Sequence, residues 1–120
     1  MMMDCLRSKC GYPPFSAVYM LDMETGEVKL WPLGNRTFAQ EPCFCPRDPE
    51  APEADGYLIF LVCDFEDMVG KLVILDTKNM QEPEAVIRLP FAARYGVHGW
   101  WVDDSDIDMH VMPLKTHGPK

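Results

Sequence analysis

No stretch of this chain carries apolar residues at helical spacing for ten residues or more. Short apolar, β-branched and aromatic runs recur instead, each closed by turn-forming residues. The strongest is Tyr57-Leu58-Ile59-Phe60-Leu61-Val62-Cys63, bounded by Gly56 and Asp64. Its unbroken hydrophobicity predicts a strand buried on both faces. Ala17–Asp22 and Val28–Leu33 flank Met23-Glu24-Thr25-Gly26-Glu27, which reads as a hairpin turn in which Gly26 accepts positive φ. Lys71–Asp76, Ala85–Leu89 and Gly96–Val102 are further predicted strands, with Pro90 closing the second of them. Gly34–Gln40 reads as a polar loop and Glu41–Arg47 as a short extended segment. Asp48–Asp55 reads as an exposed acidic loop and Phe65–Gly70 as an acidic turn. The expectation is an all-β fold: a sandwich, barrel or propeller. Strands apolar on both faces demand neighbours, so the chain reads as part of a larger sheet assembly.

A length of 120 residues allows one domain at most, and 48% hydrophobic residues is a globular composition. A net charge of −8 argues against nucleic acid as a partner, because phosphates would be repelled. The longest apolar run is far too short to span a bilayer, so no transmembrane segment is expected. The five cysteines, Cys5, Cys10, Cys43, Cys45 and Cys63, are odd in number and lack the spacing of a disulfide framework. With no apolar stretch near Met1 to act as a secretion signal, the expected setting is the reducing cytoplasm.

Three segments, taken in order, resemble the last part of the carotenoid oxygenases. They are Leu21-Asp22-Met23-Glu24-Thr25-Gly26-Glu27-Val28, then Glu41-Pro42-Cys43-Phe44-Cys45-Pro46-Arg47 with Asp55-Gly56-Tyr57-Leu58, then Leu72–Asp76, Val86–Pro90 and Tyr95-Gly96-Val97-His98-Gly99-Trp100-Trp101-Val102. That family includes carotenoid and stilbene cleavage enzymes and the retinal pigment epithelium isomerohydrolase. The resemblance implies the C-terminal blades of a seven-bladed β-propeller, incomplete here, with residues 16–103 matched, residues 1–15 an unmatched N-terminal segment and residues 104–120 a polar tail. In the family, four histidines hold one ferrous iron, and glutamates behind them orient several of the rings. By resemblance His98 stands at the last iron-ligating histidine and Glu41 at one of those glutamates. Which histidine Glu41 supports stays open at this stage. The implied reaction is O2-dependent cleavage of a conjugated double bond, in a carotenoid, apocarotenoid or stilbene-like substrate, to two carbonyl products. For the complete enzyme the resemblance leaves peripheral membrane association open.

The chemistry suits those roles. Neutral imidazole is a good ligand for ferrous iron, and a ligating histidine normally donates its other N–H to a carboxylate or carbonyl. Gly96 and Gly99 flank His98 and would let the backbone bend there. Val97 replaces the bulkier residue usual before the family's His-Gly, and Cys43 and Cys45 replace aliphatic residues. His110 and His117 lie beyond the matched region, so the remaining ligands are expected upstream and the chain is expected to be inactive by itself.

Other features have plainer readings. Cys43 and Cys45 share a face of an extended segment and lack zinc spacing with the other cysteines, so they read as small buried apolar residues. Asp103–Asp108 lacks the glycine and distal glutamate of a calcium loop and reads as a solvated turn. On a strand, Trp100 and Trp101 would face opposite ways, so at most one would line a substrate tunnel. The alternative function is a non-catalytic β-rich module derived from the same family, which binds a sister chain through its open edges.

Overall fold

A computed structural model of the protein describes residues 15–94, 96 and 98–107. Cys5, Cys10, Val97, His110, His117 and the polar tail after Ile107 lie outside the described residues. The described chain is all-β, with seven strands and one 3-10 turn, Asp104–Asp106. Strands β1 (Ala17–Leu21) and β2 (Val28–Pro32) form an antiparallel hairpin in register Val18↔Trp31 and Tyr19↔Leu30. Its turn uses the chemistry expected of it. Gly26 takes φ 74°, and the Asp22 carboxylate accepts the Thr25 and Glu24 amides at 2.9 and 2.8 Å. Those two hydrogen bonds, Thr25 first, hold the Asp22 carboxyl below its ordinary range.

The second sheet is built on β5 (Gly56–Asp64), which pairs with β6 (Val69–Asp76) over eight antiparallel positions, and β6 pairs in turn with β7 (Ala85–Arg88). Two short strands share the other edge of β5: β3 (Thr37–Ala39) pairs with its end and β4 (Cys43–Pro46) with its beginning. The reading of Gly34–Gln40 as a loop is therefore corrected. Thr37–Ala39 is a strand, because β5 supplies a ladder partner that a stretch of three residues, Thr-Phe-Ala, is too short to announce in its own pattern.

The hairpin packs on one face of this sheet. Val18 from β1 joins Ala39, Phe60, Val62, Val73, Leu75 and Met80 in one buried cluster, and Trp31 meets Phe60 edge-to-face with ring centroids 5.8 Å apart. Burial is deeper on this side: Phe60 and Val62 are buried, whereas on the opposite face Ile59 and Leu61 are half-buried and Cys63 is buried. The loop after β4 is tied down by Arg47. Its guanidinium donates to Asp55 at 2.8 Å, to the Tyr57 hydroxyl at 2.6 Å and to Asp76 at 2.7 Å. These carboxylates, Asp76 before Asp55, raise the Arg47 pKa, and Arg47 in turn lowers both of theirs.

Gly96–Val102 is not a strand among the described residues. After β7 the chain leaves the ladder at Pro90 and runs as an irregular arm over the half-buried face of β5. The arm starts on Gly70, whose amide donates to the Phe91 carbonyl at 2.9 Å. A Cβ on Gly70 would come within 2.8 Å of the Ala93 side chain, so this close approach needs glycine. An apolar, aromatic run alone does not make a strand. A ladder partner is also needed, and the arm instead meets side chains.

Candidate metal-ligand and substrate cleft

The junction of β3 and β4 is the local feature on which the site is built. Ala39 pairs with Val62 and Cys43 with Ile59, so residues 40–42 on one strand face only residues 60–61 on the other. One extra residue is accommodated, as in a β-bulge. Pro42, which has no N–H to give the ladder, sits inside it. In a regular strand Gln40 and Glu41 would point to opposite faces. Here both reach the arm that follows β7.

Glu41 Oε2 lies 2.8 Å from His98 Nδ1. An ionised carboxylate can only accept, so Nδ1 carries the proton of this contact and Nε2 is left as the free nitrogen of the neutral ring. Both groups face solvent, His98 with 83% of its side chain exposed and Glu41 with 47%. Gln40 holds the same arm two residues earlier. Its Oε1 accepts the Gly96 amide at 3.0 Å and its Nε2 donates to the Arg94 carbonyl at 2.6 Å. Cys63, buried on β5, donates its thiol to the Ala93 carbonyl at 3.3 Å.

These residues border an open cleft of about 260 Å³. Gln40, Glu41 and His98 form its polar side, and Ile59, Leu61, Leu72, Trp100 and Trp101 its apolar surface. Both tryptophans border it, Trp100 while almost fully exposed. The opposed directions expected of them belong to a strand, and residues 98–102 do not form one. Trp101 is further fixed by its indole N–H, which donates to Asp103 at 3.1 Å. Gly96 and Gly99 take no left-handed φ. A Cβ on Gly96 would lie 2.8 Å from Gln40 Oε1, so the end of the Gln40 side chain would have to move aside.

Cys43 and Cys45 are half-buried free thiols, and Cys43 borders the cleft. Burial, and then the nearby Asp103, push the Cys45 thiol up. Asp104–Asp106 is an exposed turn. Among the described residues no group of three or more His, Cys, Asp or Glu side chains converges on one point. The fit to a metal is therefore the fit of one ligand. An imidazole whose Nδ1–H is engaged by a carboxylate and whose Nε2 is free is the usual form of a metal-ligating histidine. Gln40 escaped the sequence reading, because its role depends on a one-residue bulge that only the pairing of two other strands reveals.

The family described as retinal pigment epithelial membrane protein matches residues 2–103. The chain is 42% identical over 108 residues to carotenoid cleavage oxygenase 1 of Neurospora crassa, covering 90% of this chain and 20% of that protein. It is 43% identical over 89 residues to isoeugenol monooxygenase of Pseudomonas nitroreducens, covering 73% and 19%. Among solved structures, lignostilbene dioxygenase of Pseudomonas brassicacearum superposes with a TM-score of 0.73 at 37% identity, covering 76% of this chain and 19% of that one. A cobalt-substituted Synechocystis apocarotenoid oxygenase superposes with a TM-score of 0.70 at 32% identity, covering 75% and 19%. The chain thus spans about a fifth of the length of the relatives it matches. Among the described residues no helix is long and apolar enough to cross a membrane.

Proposed function

Because this chain belongs to the retinal pigment epithelial membrane protein family, that of the carotenoid oxygenases, we propose that it contributes an iron ligand, His98, and the carboxylate that orients it, Glu41, to an O2-dependent cleavage dioxygenase. The substrate would be a carotenoid, apocarotenoid or stilbene-like molecule, cut at a conjugated double bond to two carbonyl products. The observation that carries this reading is the 2.8 Å contact between Glu41 and His98. Ferrous iron, when bound, supplies the activation of O2. The chain's own part is to hold the proton on Nδ1, to aim the ring, and to offer a dry wall. Glu41 does the first, since proton loss from Nδ1 would set an imidazole lone pair against a carboxylate. Ile59, Leu61, Leu72, Trp100 and Trp101 do the last, as an apolar surface suited to a flat polyene or stilbene. The other iron ligands would come from outside the described residues. The cytoplasmic setting and the boundary between the oxygenase part ending at residue 103 and the polar tail 104–120 belong to the same proposal, whereas the family match begins at residue 2 rather than at residue 16.

The test is anaerobic loading of a complete oxygenase that carries this segment with ferrous iron, followed by the iron retained and the carbonyl products released from a stilbene or apocarotenoid under O2. Loss of retained iron in His98→Ala is the expected result. Equal retention in wild type and variant would remove His98 from the role. A second reading, a non-catalytic module, is favoured by the exposed apolar outer face of the hairpin, Tyr19, Leu21, Val28 and Leu30. A folded chain that pairs with another chain through that face, and a pairing lost in Tyr19→Ser with Leu30→Ser, support it.

A further inference from the structure

We infer that Gln40 is a positioning residue for His98: its side-chain amide clamps the arm at Arg94 and Gly96 so that the imidazole is presented to Glu41. The inference rests on the proposed role of His98 and adds the device that aims it. The arm has left the β ladder, and at Arg94 and Gly96 it is exposed, so water could serve its backbone polar groups; a protein partner there adds order to the segment. Those groups are met by side chains of the central sheet. Cys63 takes the Ala93 carbonyl, and Gln40 takes the Arg94 carbonyl and the Gly96 amide. Gln40 is suited to this because one primary amide carries both a donor and an acceptor, and the arm offers one of each within a single side chain's reach.

The bulge explains why Gln40 rather than a more distant residue holds this place. Its own amide donates to the Leu61 carbonyl at 2.8 Å, so the backbone beneath the side chain is anchored in β5. The neighbouring Glu41 then meets His98, two residues beyond Gly96. Two adjacent side chains therefore grip one arm at successive points, which regular strand alternation would forbid. His98 is exposed and so has little packing to restrain its ring. Without the Gln40 clamp, Glu41 alone would have to order a free segment, and the entropy of that segment would oppose the contact.

Hydrogen exchange of the metal-free full chain tests this, read at the Gly96 amide together with the ring-nitrogen spectrum of His98. In the wild type the Gly96 amide is expected to be protected and His98 to show one tautomer, with the proton on Nδ1. Gln40→Ala is expected to speed Gly96 exchange by about tenfold or more and to average the His98 tautomers, with the β6 amides unchanged. Gly96→Ala approaches the same contact from the other side, because its Cβ would push the Gln40 amide away. It is expected to reproduce the His98 averaging, and the double variant to go no further than either single one. Should Gln40→Ala unfold β6 as well, Gly96→Ala decides on the His98 spectrum. Unchanged Gly96 exchange in Gln40→Ala, or an unchanged His98 spectrum in both variants, overturns the inference. These readouts need no iron, so a failure of wild-type iron retention would sink the ligand role of His98 and leave the clamp to be judged separately.

Discussion

Glu41 and His98 stand 57 residues apart in the chain and 2.8 Å apart in space, carboxylate oxygen to ring Nδ1. One is on a bulge between two short strands and the other on an arm outside any sheet. Replacing Glu41 by Gln keeps the shape but removes the charge that holds the Nδ1 proton. Metal affinity is expected to fall roughly 10- to 100-fold, the usual cost of losing the group behind a ligating histidine. Isothermal titration of the complete enzyme that carries this segment, with ferrous iron or cobalt, checks this. An affinity unchanged in Glu41→Gln would show that the carboxylate is a bystander.

Asp64, at the end of β5, accepts Lys71 Nζ at 2.7 Å and the amides of Asp67 and Glu66 at 3.0 and 2.9 Å. Lys71 first, and then the Asp67 amide, lower its pKa from 3.8 to about 2. A carboxyl with a depressed folded pKa contributes its stability in full above its unfolded value. That contribution is lost as the pH falls from about 4 toward 2. Asp64→Asn is expected to cost about 1–2 kcal/mol near neutrality, with the wild-type advantage shrinking across that acid window. Urea unfolding of both proteins at several pH values measures it, and a pH-independent difference would contradict the linkage.

Thr77 is 2% exposed, and its hydroxyl both donates to the Gly56 carbonyl at 2.9 Å and accepts the Gly56 amide at 3.0 Å. Gly56 cannot retreat. A Cβ there would collide with the Cys45 carbonyl oxygen, so β4 already lies against it. Thr77→Val keeps the volume but leaves the Gly56 amide without this acceptor in a buried place. The expected loss is about 1–3 kcal/mol by thermal or urea unfolding. Thr77→Ser, which keeps the hydroxyl, should recover most of it.

Leu75 has 0% exposure and lies in the cluster shared by the hairpin and the sheet. Leu75→Ala is expected to cost about 2–5 kcal/mol, through lost transfer energy and the cavity left behind. Ile87→Ala on the edge strand, where the side chain is 49% exposed, should cost far less. Similar losses for the two would mean that β7 is covered by another surface in solution.

The strands that the residues dictate by themselves are those with long, unbroken β-branched and aromatic runs. β5 and β6 owe their identity to composition, and the β1–β2 turn to Gly26 and Asp22, so neighbours in sequence suffice to read them. His98 and Glu41 were also legible, as a pair of positions in a family pattern, though not as partners. Tertiary structure decided three things. β3 is a strand only because β5 lies beside it. Gly96 and residues 98–102 are not part of one, because the arm meets side chains instead of a ladder. The side on which Gln40 and Glu41 emerge follows from one surplus residue between two registers. Sequence periodicity encodes which face a residue takes relative to its own strand. It does not encode how two strands are offset against a third, and that offset brings Glu41 to His98.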